Sequence, residues 1–254
     1  MTTGYIGEIF SGIQGEGLWV GERQLFVRLA GCNLRCAYCD TAWAREQTLH
    51  CRIEHTAGER DFEDHPNPLE AARAAALALR LNAPPGLHGS ASFTGGEPLL
   101  QPDLVREMGQ QIRANGLQVY LETNGTLASA LGVALDAVDV IAMDVKLPSA
   151  TGFQCWDEHQ AFLDAARPFI GRGSLLFAKA VFVQSTTDQE IERLCRLLSA
   201  VSPHIPLVLQ PASHVAQGPA PPSPERALSL QAAAKQMLAM VRVIPQMHKL
   251  MGQT

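Results

Sequence analysis

The sequence predicts an α/β fold, a partial (β/α)6-type barrel of parallel strands, and three observations carry that expectation. Strand-like apolar runs alternate with helical stretches from Arg23 almost to the C-terminus. The polar, glycine-containing motifs follow those runs directly, at the C-terminal ends of strands, where α/β folds place their sites. No GxGxxG opens a helix, which counts against a flat dinucleotide-binding sheet.

Each element has its own signal. "RQLFVRLAG" (23–31) is a strand of aromatic and β-branched residues that runs into "GCNLRCAYCDT" (31–41). Residues 43–66 are polar and turn-rich around a β-like "CRIE", and read as an inserted hairpin or loop. The first helix, "NPLEAARAAALALRL", is expected to start with Asn67 as its cap. "ASFTGGEPLL" (91–100) is the next strand and turn, and "QPDLVREMGQQIRANG" a helix stopped by Gly116. Strands follow in "LQVYLETNG", "AVDVIAMDVKLPS" and "SLLFAKAVFVQ". A helix capped by Thr187 or Asp188 comes next, then the buried strand "IPLVLQP" and a helix with Ser223 as cap and Pro224 in its first turn. "VRVIPQMHK" is the closing strand, which leaves a tail judged too short for a helix. "HVAQGPAPPSPE" is a proline-rich surface loop. Six or seven β/α units then make one domain over 1–254.

Composition narrows the function classes. The chain has 254 residues and a net charge of -5, which argues against nucleic acid as the main partner. The N-terminus lacks the pattern of an export signal, and no apolar run reaches the roughly 18 residues of a membrane span, so a cytoplasmic protein is expected. Six cysteines in this length are too few for a disulfide scaffold.

Cys32, Cys36 and Cys39 form a Cx3CxxC loop. Structural zinc wants four ligands, and Cys51, Cys155 and Cys195 make no second pair, although His50 beside Cys51 keeps a zinc reading open. A [4Fe–4S] cubane held by three thiolates leaves one iron open for chemistry, which favours a catalytic cluster. The glycines of "GGE", Gly95 and Gly96, would let the backbone approach a ligand and offer bare N–H groups. Arg28 is a charge inside an apolar strand and needs a partner, either a substrate carboxylate or an internal acid such as Glu8. Gln14 and Glu16 are either ligand contacts or turn residues of "QGEG". Asp144 and Lys146 either face a ligand or pair with each other.

Cx3CxxC after a first strand, Tyr38 before its third cysteine, and the following GGEP together resemble the radical S-adenosylmethionine superfamily. That resemblance implies a cluster whose open iron is chelated by the methionine moiety, and cleavage to a 5'-deoxyadenosyl radical. "EIFSGIQGEG", "GCNLRCAYCDT", "FTGGEPLLQ", "LETNGT", "DVKLPS", "LQP" and "VIPQMHK" resemble, more narrowly, the 7-carboxy-7-deazaguanine synthase family. The implied reaction contracts the ring of 6-carboxy-5,6,7,8-tetrahydropterin with loss of ammonia, on the route to queuosine. Implied cofactors are the cluster, S-adenosylmethionine and Mg2+, the last held by Thr41. Gly95, Gly96, Glu97, Glu122, Asn124, Asp144, Lys146 and Gln210 would line the S-adenosylmethionine channel. Gln14, Glu16, Arg28, Thr94 and His248 would face the pterin. An electron donor such as flavodoxin or ferredoxin and a homodimer are implied as well. The chain departs from the family by the 43–66 insert and by Met247, where a threonine is expected. The alternative is a glycyl-radical activating enzyme working on a protein partner, or a passive zinc or iron–sulfur module. The tail 245–254 is expected to close the substrate pocket, with the α-carboxylate of Thr254 accepting pterin N–H groups.

Overall fold

The computed structural model describes residues 1–170, 174–214 and 218–252. A short strand β1 (Thr3–Gly4) precedes β2 (Ile6–Ile13) and β3 (Arg23–Leu29), a hairpin whose tip carries QGEG. β4 (His50–Glu54) and β5 (Phe62–Pro66) form a second hairpin within the polar 43–66 segment, where a hairpin or loop is expected. β6 (Leu69–Glu70) leads into α1 (Ala71–Arg80). Then come β7 (Ser90–Gly95), α2 (Pro102–Ala114), β8 (Gln118–Thr123), α3 (Ala128–Ala134), β9 (Val140–Asp144), α4 (Pro148–Thr151) and α5 (Trp156–Ala166). β10 (Leu175–Phe182), α6 (Asp188–Ser199), β11 (Leu207–Pro211), α7 (Pro224–Lys235), β12 (Val241–Val243) and α8 (Met247–Leu250) complete the chain.

The main sheet runs β12-β11-β10-β9-β8-β7-β3-β2-β4-β5. From β3 to β12 every pairing is parallel, as β/α units dictate. Among the described residues the strands β12 and β5 are unpaired edges, so the barrel is partial and not closed. Alternate residues divide the strands between two faces. One face carries Ile9, Val27, Phe93, Leu121, Met143 and Ala180 into the core beneath the helices. The other carries Tyr120, Val140, Ala142, Phe177 and Val208 toward the site. Among the described residues no helix is long and apolar enough to cross a membrane.

Three local expectations need correction. α1 begins at Ala71, not after Asn67, because Leu69 and Glu70 pair with β1 as a two-residue strand. Asn67 instead uses its side chain to bind the N–H and carbonyl of Ile6 and the carbonyl of Thr48. The last strand ends at Val243 instead of running on to Lys249, and Met247–Leu250 is a helical turn, which carries His248. Elsewhere the signals hold. Thr187 caps α6 with a full capping box, Ser223 caps α7, and Gly116 stops α2 at a left-handed φ of 82°.

Candidate active site

The site is built in rows across the open face. One row is set by register: Arg52 on β4 opposes Glu8 on β2, Glu8 opposes Arg28 on β3, and Arg28 opposes Thr94 on β7. Thr94 Oγ1 then donates to Glu122 Oε2 on β8 at 2.8 Å. Gln14 joins this row by donating to Glu122 Oε1 at 2.8 Å and to Gln24 Oε1 at 3.0 Å. Glu122 therefore sits among the residues expected to face the pterin. Arg28 takes the internal partner that the sequence left open: its Nε lies 2.9 Å from Glu8 Oε1.

Two residues further along the strands lies a row of charges. Asp144 opposes Lys179 on β10. Lys146 Nζ stands 2.9 Å from Asp144 Oδ2 and donates to the Tyr38 hydroxyl at 3.0 Å. Lys179 also pairs closely with Glu16. Burial pushes the Glu16 and Asp144 carboxyls upward, but the neighbouring lysines outweigh it and hold both below the usual range. Burial lowers Lys179 and Lys146, and their acid partners more than reverse this. Both pairs are thus fully charged at neutral pH.

The cluster loop crowns the strand ends. All three thiols are free and only partly exposed. Burial pushes the Cys36 thiol up to about 11 and raises Cys32 as well, with the Lys146 charge opposing it; a bound cation would reverse that. Among the described residues no three Cys, His, Asp or Glu side chains are grouped to hold a single ion. A cubane makes a different demand, since each thiolate binds a separate iron. The fit to S-adenosylmethionine rests on unmet hydrogen bonds: Asp144 Oδ1 and Gln210 Oε1 are buried acceptors without a partner among the described residues. Amine and hydroxyl donors of a bound nucleoside and amino acid would satisfy them.

The two glycines of GGE serve the backbone more than a ligand. The Gly96 N–H is committed to Leu29 O at 3.0 Å, and a Cβ there would meet Gly31 O at 1.9 Å. This close packing fixes the turn against the root of the cluster loop. Glu97 is fully buried behind the wall and accepts from Leu99 N, Thr123 Oγ1 and Asn124 N. It is a positioning residue, so its placement in the S-adenosylmethionine channel is corrected. Asn124 in turn donates to Asn33 Oδ1 at 2.8 Å and ties β8 to the cluster loop.

The C-terminal turn straps the site. Met247 N donates to Gly15 O at 2.9 Å, and His248 packs where a Gly15 Cβ would be, 2.4 Å from its Nδ1. Lys249 Nζ reaches Asp40 Oδ2 at 3.0 Å, and Gln246 bridges Glu16 and Asp40. Thr41 Oγ1 donates to Asp40 Oδ1 at 3.1 Å. Thr254 lies outside the described residues.

One cavity of about 410 Å³ joins these parts. Every expected site residue within the described chain lines it except Glu97. Sequence reasoning missed Lys179, although a lysine inside "SLLFAKAVF" is the same signal that marked Arg28. It also missed Arg52, and His159, whose buried ring accepts from Lys146 N at 2.9 Å and donates to Gly125 O.

The Radical SAM superfamily model matches residues 27–198. The chain is 44% identical over 248 residues to a 7-carboxy-7-deazaguanine synthase of Geobacter sulfurreducens, covering 97% of this chain and 96% of that protein. It is 36% identical over 245 residues to the one from Methanopyrus kandleri, covering 96% and 91%. Among solved structures, QueE from Escherichia coli shares the fold with a TM-score of 0.61 at 20% identity, over 97% of this chain and 95% of that one. With most of its length matched at both levels, the chain belongs to the radical SAM superfamily and, within it, to the 7-carboxy-7-deazaguanine synthases.

Proposed function

We propose that this chain performs the reaction its relatives are named for, converting 6-carboxy-5,6,7,8-tetrahydropterin to 7-carboxy-7-deazaguanine with loss of ammonia. The two sides differ by ammonia alone, so the ring contraction consumes no net oxidant. The observation that carries this reading is the single cavity that runs from Cys32, Cys36 and Cys39 to Gln14, Glu16, Arg28, Thr94 and His248. A concave cavity of this size suits a small molecule, which favours the pterin over a protein substrate for an activating enzyme.

The cluster and S-adenosylmethionine, when bound, supply the one-electron chemistry that activates a substrate C–H bond. The residues around them hold and orient. Asp144 Oδ1 and Gln210 Oε1 accept donors of S-adenosylmethionine, with Lys146 keeping the Asp144 carboxylate charged. Gln14, Glu122 and Thr94 form a pre-bonded edge for the pterin, and Glu16 is held ready by Lys179 and Gln246. Thr41 supplies an oxygen to Mg2+, a cation that takes few protein oxygens and keeps waters or substrate oxygens for the rest. The 43–66 hairpin is an insertion in a single domain, and the C-terminal turn Met247–Leu250 closes over the pocket. The enzyme is a cytoplasmic homodimer that takes electrons from a flavodoxin or ferredoxin. Its product enters queuosine and related 7-deazapurines.

The test is anaerobic reconstitution followed by assay with the carboxylated tetrahydropterin. Formation of 7-carboxy-7-deazaguanine is expected without any added protein substrate. Cleavage of S-adenosylmethionine with the pterin left unchanged would overturn the assignment.

A further inference from the structure

The row Arg52–Glu8–Arg28 places one carboxylate between two guanidinium groups, each on a neighbouring strand. Glu8 is buried, and each of its oxygens has one arginine: Oε1 faces Arg28 Nε at 2.9 Å and Oε2 faces an Arg52 Nη at 2.8 Å. Among the described residues the Arg28 side chain hydrogen-bonds only through Nε. Its guanidinium is flanked by the rings of Phe10, 5.7 Å away, and Trp43, 5.8 Å away. Arg28 is therefore fixed in place with its outer nitrogens uncommitted, against a pocket that all three charged residues line.

The arithmetic of charge is what matters here. Arg28 with Glu8 alone is a neutral pair, and a ligand carboxylate approaching Arg28 would meet Glu8 just behind it. With Arg52 on the second oxygen, the three residues carry a net charge of +1. At the other end of the pocket, Glu16 and Asp144 against Lys146 and Lys179 sum to zero. Arg52 comes from the β4–β5 hairpin, which is also where Trp43 leads and where Arg60 adds a further cation to the rim. The hairpin thus makes one end of the cavity electropositive.

We infer that Arg52 is a specificity-determining positioning residue: by neutralising Glu8 it leaves Arg28 free to bind the substrate's carboxylate, so the hairpin selects carboxylated pterins over uncarboxylated ones. This rests on the pterin reading above and adds the residue that enforces it. Arg52 acts through Glu8 and does not touch the reacting ring. Its side chain is 56% exposed and stacks on Phe62 at 4.9 Å, so its replacement spares the core.

The experiment uses the cluster-loaded enzyme with S-adenosylmethionine. It measures the KM for 6-carboxytetrahydropterin and, by calorimetry and competition, the binding of tetrahydropterin lacking the carboxylate. Arg52→Gln is expected to raise the KM on the order of tenfold with kcat within about threefold. Binding of the uncarboxylated pterin should stay unchanged, and Arg52→Lys should recover most of the loss. The decisive variant is Glu8→Gln combined with Arg52→Gln: with no carboxylate left to neutralise, binding of the carboxylated pterin should return. Equal losses for both pterins, an unchanged KM in Arg52→Gln, or no recovery in the double variant would overturn the inference. If the wild-type enzyme binds the carboxylated pterin but does not turn it over, the proposed reaction fails, and calorimetry on the same variants still decides the role of Arg52.

Discussion

On the helix-covered face of the strands, Arg23, Ser11, His88 and Asn82 pass a hydrogen bond from each group to the next. On the pocket face, Asp144, Gln210, Gln24 and Ser90 each keep one buried polar atom without a partner among the described residues. The two meet on β3, where Arg23 and Gln24 are one residue apart and point to opposite faces. A buried unsatisfied atom costs about 1–3 kcal/mol, and two of the four, on Asp144 and Gln210, belong to residues that line the cavity where a ligand would meet them. The helix face is closed by the chain itself. The pocket face is left for ligands to complete.

Cysteines give the largest contrast between the faces. Cys36→Ala, on the loop above the pocket, is expected to abolish cluster binding and all 5'-deoxyadenosine formation. Cys195→Ala, on the buried side of α6, should keep full iron content and turnover and lose only about 1 kcal/mol of stability. Iron analysis and a urea melt separate them. Iron retained in Cys36→Ala would remove the cluster from this loop.

The next effect tests whether the charged row on the pocket face is a unit. Lys179→Met leaves Glu16 and Asp144 each short of a cation inside the cavity. Breaking a buried pair from one side typically costs about 3–5 kcal/mol, so kcat/KM should fall at least about a hundredfold. A fall under threefold would mean that Lys146 and Gln246 suffice to hold the two acids.

How far this site could be read in advance depended on background. Arg28 stood out because its neighbours in "LFVRLAG" are apolar, and the motif glycines and cysteines stood out by spacing. Lys179 sits in an equally apolar run and was equally legible. Arg52 was not, because "TLHCRIEHT" is polar and one more charge there carries no signal until the register puts Glu8 beside it. The start of α1 failed for a similar reason: Leu69 and Glu70 are claimed by Thr3 and Gly4, a pairing about 65 positions away that no local propensity encodes. His248 was placed at the correct pocket but on the wrong element, since the fold of Met247–Leu250 depends on docking against Gly15.

A smaller effect sharpens the pocket side. Thr41→Val removes one neutral oxygen beside Asp40 and should flatten the dependence of turnover on Mg2+. Uncoupled cleavage of S-adenosylmethionine should continue. The comparison is a Mg2+ titration of both enzymes, and identical curves would place the cation elsewhere.

The smallest effect belongs to the closed network. Arg23 Nε donates to Ser11 Oγ at 2.8 Å, and the Ser11 hydroxyl can donate its own proton to a neutral His88 Nε2, also 2.8 Å away. The His88 proton then sits on Nδ1 and points to Asn82 Oδ1 at 3.2 Å. A second proton on Nε2 would reverse that bond and put a positive ring inside a buried network beside the Arg23 charge. Burial and the Arg23 charge accordingly lower His88 from 6.5 to about 4. Between those values the unfolded chain takes up a proton that the folded one refuses, so stability rises with pH through that window and is level above it. Each pH unit in the window is worth at most about 1.4 kcal/mol. His159 on α5, also lowered by burial, adds to the same slope. In His88→Gln the glutamine can still accept from Ser11 but cannot titrate. Its urea midpoint should therefore change less between pH 5 and pH 7 than that of the wild type, while activity at pH 7 stays the same. Equal pH dependence in the two proteins would show that His88 titrates freely and that the helix-side network is not closed after all.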